Sequence, residues 1–168
     1  MDANKLIEKT TSFKVNGKQI ELTLPPTYRL VDILRDSLSL TGTKVACEVG
    51  RCGACSVIMN GKLVNSCLIM AYQMEDAEIF TIESLSEERL HPIQEAFLQA
   101  GALQCGYCTP GMIIALKSLL DEEEQPSKED VLTALSGNLC RCTGYEGILR
   151  AVDLLTKKRH ETIGEGKE

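Results

Sequence analysis

CEVGRCGAC, residues 47–55, places three cysteines at the spacing C-x4-C-x2-C, and a fourth, Cys67, follows after eleven more residues. Three thiols in one short loop with a fourth further along is the spacing of a plant-type [2Fe–2S] loop. The chemistry accounts for the pattern. Two irons bridged by two sulfides take four thiolates, two on each iron, and a tight loop plus one distant segment supplies them. Gly42, Gly50 and Gly53 flank or interrupt the loop. Without Cβ atoms they let backbone approach closely and take positive φ, so that amide N–H groups point at sulfur. Zinc is the alternative, since four thiolates also bind it tetrahedrally, although zinc sites more often pair two short knuckles. A Rieske centre needs two histidines. The only two here, His91 and His160, lie far from the loop.

The other four cysteines form a second set, separated from the first by 37 residues that contain none. LQCGYCTPGM, residues 103–112, carries Cys105 and Cys108. NLCRCTGY, residues 138–145, carries Cys140 and Cys142. Each pair stands just ahead of an expected helix N-terminus, whose partial positive charge favours thiolates and an anionic centre. Packing those helices together brings the pairs to one place. Spacing leaves three chemistries open here: an iron–sulfur centre, a zinc site and a redox dithiol. The last suits the sequence least, because it belongs to a strand–helix unit of a parallel sheet.

The segments around the cysteines divide the chain in two. SFKVNGKQIELTL (12–24) and CSVIMNGKLVNSC (55–67) each alternate around Asn-Gly, the strongest short hairpin signal. YRLVDILRDSL (28–38) has apolar residues at helical spacing, and AEIFTI (77–82) reads as one more strand. A small α+β sheet domain follows over residues 1–83. The second half reads as helices. Pro92 fits a first turn, Thr109 and Pro110 an N-cap and first position, Ser127 with Asp130 a capped start, and Thr143 with Glu146 a capping box. A four-helix domain follows over residues 91–160, with a linker near Glu83–Leu90, a solvated loop at DEEEQPSKED (121–130) and a loose tail at HETIGEGKE (160–168).

Composition sets the outer limits. The chain has 168 residues, 43% hydrophobic but only 4% aromatic, with no Trp. So sparse an aromatic core suggests that metal binding supplies part of the folding free energy. The net charge of −6 disfavours nucleic-acid partners, whose phosphates attract Lys and Arg. No apolar run is long enough to span a membrane, and MDANKLIEKTTSF has no signal-peptide apolar core, so a cytoplasmic location is expected. There, eight cysteines read as metal ligands or reactive thiols in preference to disulfides. No phosphate-binding glycine loop and no acid–base or nucleophile set stands out, so no catalytic residue is assigned.

CEVGRCGACSV, QCGYCTPGM and GNLCRCTGY together resemble the two-cluster iron–sulfur subunit of the molybdenum hydroxylases, the xanthine dehydrogenase and aldehyde oxidase superfamily. The likeness runs from about Ser12 to about Leu155. It implies a plant-ferredoxin-like β-grasp domain with one [2Fe–2S] cluster on Cys47, Cys52, Cys55 and Cys67. It implies a four-helix bundle with a second cluster on Cys105, Cys108, Cys140 and Cys142. It also implies a large partner subunit with a molybdenum–pterin cofactor and a medium one with FAD. Electrons would leave molybdenum, pass the helical-domain cluster, then the ferredoxin-like one. Gln104 would contact the pterin, with Cys142 beside it. A purine such as xanthine is the favoured substrate of the whole enzyme; aldehydes, nicotinate-like heteroaromatics, aromatic acyl thioesters and carbon monoxide are alternatives. A zinc-stabilised interaction module and a freely diffusing ferredoxin are the rival readings. Tyr107, Tyr145, His91 and His160 carry no assigned chemistry, and Arg141 is divided among cluster tuning, partner binding and simple exposure.

Overall fold

The computed structural model describes residues 7–86 and 89–164, with residues 157–164 as backbone only. Five strands form one mixed sheet in the order β2-β1-β5-β3-β4. They are β1 (Lys9–Val15), β2 (Lys18–Leu24), β3 (Ser56–Met59), β4 (Lys62–Asn65) and β5 (Glu78–Phe80). β1 runs parallel to β5, and the other neighbours are antiparallel.

Both Asn-Gly hairpins form as the sequence predicts. Asn16 and Gly17, and likewise Asn60 and Gly61, all take positive φ. Two consecutive left-handed residues make a turn whose twist matches the flanking strands. Thr11, Phe13 and Val15 then point inward from β1. Phe13 and Val15 meet Leu30, Ile33, Leu34, Val57, Met74 and Ile79 in one core beneath the sheet.

The expected helix over 28–38 is not a regular one. A single α turn, α1 (Leu30–Asp32), opens into a π turn over Ile33–Ser37, closed by the Leu38 amide on the Ile33 carbonyl at 3.0 Å. This wider path buries Leu30, Val31, Ile33 and Leu34 together. Arg35 then reaches the carbonyls of Thr41 at 2.9 Å and Thr43 at 2.8 Å. The turn thereby delivers the chain into the first cysteine loop.

Four helices make up the second half: α2 (Pro92–Gln99), α3 (Thr109–Glu122), α4 (Lys128–Leu135) and α5 (Glu146–Gly164). Phe97, Met112, Leu116, Leu135, Ile148 and Val152 fill their shared core. Ser127 caps α4 reciprocally with Asp130, and Pro92 opens α2, both as expected. His91 does more than sit at a helix start. Its Nδ1 accepts from the Ile93 amide at 3.3 Å, and its own amide donates to Gln94 Oε1 at 2.8 Å. Two expected caps are corrected. Cys108, and not Thr109, is the N-cap of α3. Thr143 does not stand directly before α5, because Tyr145 does; the Thr143 hydroxyl accepts from the Tyr145 amide at 3.2 Å and also lies 3.0 Å from Cys140 Sγ. The expected tail is also corrected, since α5 continues to Gly164; nothing in KKRHET stops a helix. Residues 165–168 lie outside the described residues.

The halves are packed directly on one another. α3 lies against β3, and Ile82 and Leu85 rest on the helical core. The expected linker begins on a firm anchor. Asn16 exchanges two 2.9 Å hydrogen bonds with the amide and hydroxyl of Thr81. The Thr81 hydroxyl donates to Glu83 at 2.5 Å, and Glu83 also accepts from the Gly42 amide at 2.8 Å. Residues 87 and 88 of that linker lie outside the described residues. Among the described residues, no helix is long and apolar enough to cross a membrane. Thr81 is fully buried. Thr81→Val keeps its shape but strands Asn16 and Glu83, so unfolding in urea should show a loss of about 1–3 kcal/mol.

Candidate metal centres

The eight cysteines, all free thiols, come together two by two. Cys47 contacts Cys52, and Cys55 contacts Cys67. In the helical half Cys108 contacts Cys140, and Cys142 lies 3.6 Å from Cys105, sulfur to sulfur. The pairs of each set are near enough that Cys47 acts electrostatically on Cys67, and Cys105 on Cys108. CGYC and CRC are therefore halves of one site. Among the described residues, no three His, Cys, Asp or Glu side chains converge closely enough to hold a single metal ion. Two thiols facing two thiols is the donor arrangement of a two-iron, two-sulfide core.

The first loop is shaped by three left-handed residues, Glu48, Gly50 and Gly53. Gly50 is favoured as glycine by its φ of +72°; the exposed Leu68 side chain beside it is free to shift. Gly42, expected to take positive φ, does not; its missing side chain makes room for Ile82 and Glu83. Glu48 is held by Arg29 at 2.5 Å, and Arg29 also grips Asp32 at 2.7 Å. Such an exposed pair adds at most about 1 kcal/mol; its consequence is to fix the loop's outer turn.

Backbone amides aim at the sulfurs. Val49, Arg51 and Cys52 donate to Cys47, with the Arg51 nitrogen at 3.2 Å. The Val49 amide, followed by those of Arg51 and Cys52, brings the Cys47 thiol down to about 7. Burial, reinforced by Cys55, pushes Cys67 up to about 11. Burial, reinforced by Cys140, pushes Cys108 up to about 12. At Cys140 burial opposes ionisation, but the Thr143 hydroxyl and amide and the Cys142 amide outweigh it, so the thiol is lowered. Cys105 acts on its neighbour Cys142 in the other direction and raises it. Each set thus mixes thiols that ionise easily with thiols that resist, a metal-free condition that bound cations would level.

Cys55 and Cys67 are buried with Val31 and Val45, whereas Cys105, Cys142 and Gln104 are exposed. Gln104 stands beside the outermost thiol pair. The two tyrosines given no chemistry from the sequence act through their hydroxyls. Tyr107 donates to the Val45 carbonyl at 2.6 Å, tying the second loop to the first. Tyr145 accepts from the Cys140 amide at 2.8 Å and donates to the Asn138 carbonyl at 3.3 Å. Asn138 itself is buried between the halves; it stands within GNLCRCTGY, but sequence reasoning assigned it no role.

Residues 13–81 match the family of the 2Fe-2S iron-sulfur cluster binding domain, and residues 81–153 that of the [2Fe-2S] binding domain. A probable xanthine dehydrogenase subunit of Bacillus subtilis (strain 168) is 57% identical, over 82% of this chain and 79% of its own. The nicotinate dehydrogenase small FeS subunit of Eubacterium barkeri is 46% identical, over 85% and 92%. This chain belongs to the iron–sulfur small subunits of the molybdenum hydroxylases, the xanthine dehydrogenase/aldehyde oxidase superfamily. A solved chain of quinoline 2-oxidoreductase from Pseudomonas putida 86 superposes on the small subunit with a TM-score of 0.84, at 41% identity over 92% of this chain and 97% of that one. The small subunit is accordingly an oxidoreductase component with two [2Fe–2S]-binding domains, and its curated relatives are parts of larger enzymes.

The thiolate is the reactive form. In the metal-free, reduced small subunit, Cys47 should therefore be alkylated well before the buried Cys67 and the half-buried Cys108, both of which are raised. Its rate should climb as pH rises through about 7, as followed by mass spectrometry of iodoacetamide-treated peptides.

Proposed function

We propose that Cys47, Cys52, Cys55 and Cys67 hold one [2Fe–2S] cluster and Cys105, Cys108, Cys140 and Cys142 the other. The two-by-two approach of the thiols carries this reading, because four pairs suit four irons better than two zinc ions. When bound, each cluster supplies a one-electron redox couple. The chain's own part is to seat the clusters, shield Cys55 and Cys67 from water, and aim amides at Cys47 and Cys140. It performs no substrate chemistry by itself.

In this reading the small subunit works in the cytoplasm as a relay between a molybdenum–pterin site on a large partner subunit and FAD on a medium one. Residues 1–83 act as a β-grasp, ferredoxin-like domain and residues 91–160 as a four-helix bundle. The parallel β1–β5 pair flanked by two hairpins and the single core shared by α2–α5 support that division. The exposed end, Cys105 and Cys142 with Gln104, faces the pterin. The Gln104 amide both donates and accepts, which suits a heterocycle edge. A purine is the favoured substrate of the whole enzyme, supported by the 57% identity to a probable xanthine dehydrogenase subunit. Relatives named for nicotinate and for aldehyde oxidation keep those substrate classes as the alternatives, with aromatic acyl-CoA and carbon monoxide behind them.

Anaerobically purified native complex should contain about four irons per copy of this chain and show two distinct paramagnetic centres after dithionite reduction. Cys105→Ser should remove one centre and leave the other. A colourless, zinc-loaded complex would overturn the reading. Turnover of xanthine against nicotinate and an aldehyde by the same complex decides the substrate class.

A further inference from the structure

Thr43 is 2% exposed, and among the described residues its Oγ1 is the only buried side-chain nitrogen or oxygen without a hydrogen-bond partner. Buried hydroxyls are nearly always paired, and an orphan points to an acceptor the folded chain lacks or to a redox role. The other buried hydroxyls near the first cysteine loop keep that rule. Ser56 Oγ donates to the Gly53 carbonyl at 2.8 Å, and Ser66 Oγ to the Cys55 carbonyl at 2.7 Å. The polar groups around Thr43 are already taken. Its own carbonyl accepts from Arg35 at 2.8 Å, the Gly42 amide donates to Glu83 at 2.8 Å, and the Lys44 amide donates to the Ala54 carbonyl at 3.1 Å. These bonds pin the backbone on both sides of Thr43. Valine has the same shape and would leave nothing unpaired, so packing alone gives no reason for a hydroxyl here. The position of the segment narrows the acceptor. Lys44 is bonded to the neighbour of Cys55, and Val45 packs on Cys55, Cys67 and Val31. Thr43 therefore belongs to the stretch that walls the buried thiol pair of the first set.

We propose that the Thr43 hydroxyl donates a hydrogen bond to sulfur of the [2Fe–2S] centre held by Cys47, Cys52, Cys55 and Cys67, and that it raises the potential of that centre. The inference rests on the two-cluster reading above. Hydrogen bonds to sulfur are one of the levers on an iron–sulfur potential. A donor favours the more negative partner, so the bond strengthens when one electron enters the centre. No proton leaves the hydroxyl and no covalent bond breaks. Backbone amides already serve the first set, as the Arg51 amide does at the partly exposed Cys47. Thr43 adds a side-chain donor from the buried side, where low local dielectric makes a hydrogen bond stronger. The hydroxyl is a burden in the metal-free chain and a fixed, ready donor in the loaded one.

The test uses the complete enzyme complex carrying Thr43→Val, which removes the hydroxyl and keeps the shape, compared with Thr43→Ser, which keeps a hydroxyl. Redox titration followed by EPR reads the midpoint potential of each centre, and the first centre is the one that remains in Cys105→Ser. In Thr43→Val the midpoint of that centre should move to more negative values while the other holds its wild-type value. Thr43→Ser should restore most of the difference. ENDOR of the reduced complex in H2O and D2O gives a second reading: Thr43→Val should lose one exchangeable proton coupled to the first centre. A midpoint that does not move in Thr43→Val, with both centres present, would overturn the proposal and leave a buried water as the hydroxyl's partner. An equal shift of both centres would also sink it, because that marks a general structural change. Should Thr43→Val fail to assemble, Thr43→Ala decides by the same midpoint. A wild-type complex with only one centre would instead bring down the two-cluster reading, and the role of Thr43 with it.

Discussion

The contact of Gly53, Gly111 and Asn138 governs the architecture of this small subunit. The cysteines sit on irregular backbone, and neither sheet nor helix can position such loops by its own hydrogen bonds. Their geometry has to be borrowed. The sheet contributes Gly53, α3 contributes Gly111, and the segment before CRC contributes Asn138. Where these meet, the peptide groups are too close for any side chain, so the halves have one available spacing. The Gly53 carbonyl accepts from the Ser56 amide and hydroxyl as well as from Asn138 Nδ2, so Asn138 adds the donor that comes from the other half of the chain. The core packing of α3 on β3 supplies the adhesion, and the glycine–asparagine contact supplies the register.

That register places a gradient of exposure along the chain of thiols. Cys55 and Cys67 lie deepest, Cys52, Cys108 and Cys140 stand in the middle around the seam, and Cys105 and Cys142 open to the surface. The electrostatics follow the same geometry. Burial makes Cys67 and Cys108 poor thiolates, while amides and the Thr143 hydroxyl make Cys47 and Cys140 good ones. Without metal, the chain therefore holds buried thiols that resist ionisation next to donors that have no full anion to serve. Bound cations would satisfy both at once. Metal affinity and folding are then one free energy, which offsets the modest apolar core of an aromatic-poor sequence.

Much of this was legible in the sequence, and the reasons differ by element. The two Asn-Gly hairpins were readable because their turns depend only on local φ, and both residues of each turn tolerate positive values. The grouping of cysteines into two sets of four was readable from spacing alone. The regular helix expected over 28–38 was misread, because Arg35 satisfies carbonyls of a later loop, a tertiary demand that apolar periodicity does not encode. Thr143 was misread for a similar reason. Its spacing to Glu146 suits a capping box, but its hydroxyl is shared between the Tyr145 amide and the Cys140 sulfur. The role of Asn138 was not legible, although the residue stands inside GNLCRCTGY: its side-chain amide works across 85 positions of sequence, and no local pattern records such a contact.

The surface around the cysteine loops bears on whether this chain works alone. Val49 is 62% exposed, Leu68 52% and Leu139 57%, and Tyr72, Leu103 and Tyr107 are also exposed. Single exposed apolar side chains are ordinary. These differ in placement. Val49 lies between Cys47 and Cys52, Leu68 follows Cys67, Leu103 and Tyr107 flank Cys105, and Leu139 precedes Cys140. A carrier that diffuses freely between enzymes gains nothing from apolar residues at both cysteine sets, and rims of this kind mark surfaces that other polypeptides cover. Exposed apolar positions at both cysteine sets fit a chain covered by larger partner subunits, which the subunit names of its relatives imply. In the proposed assembly the pterin-bearing subunit would cover the outer pair, Cys105 and Cys142, which stands open in this chain.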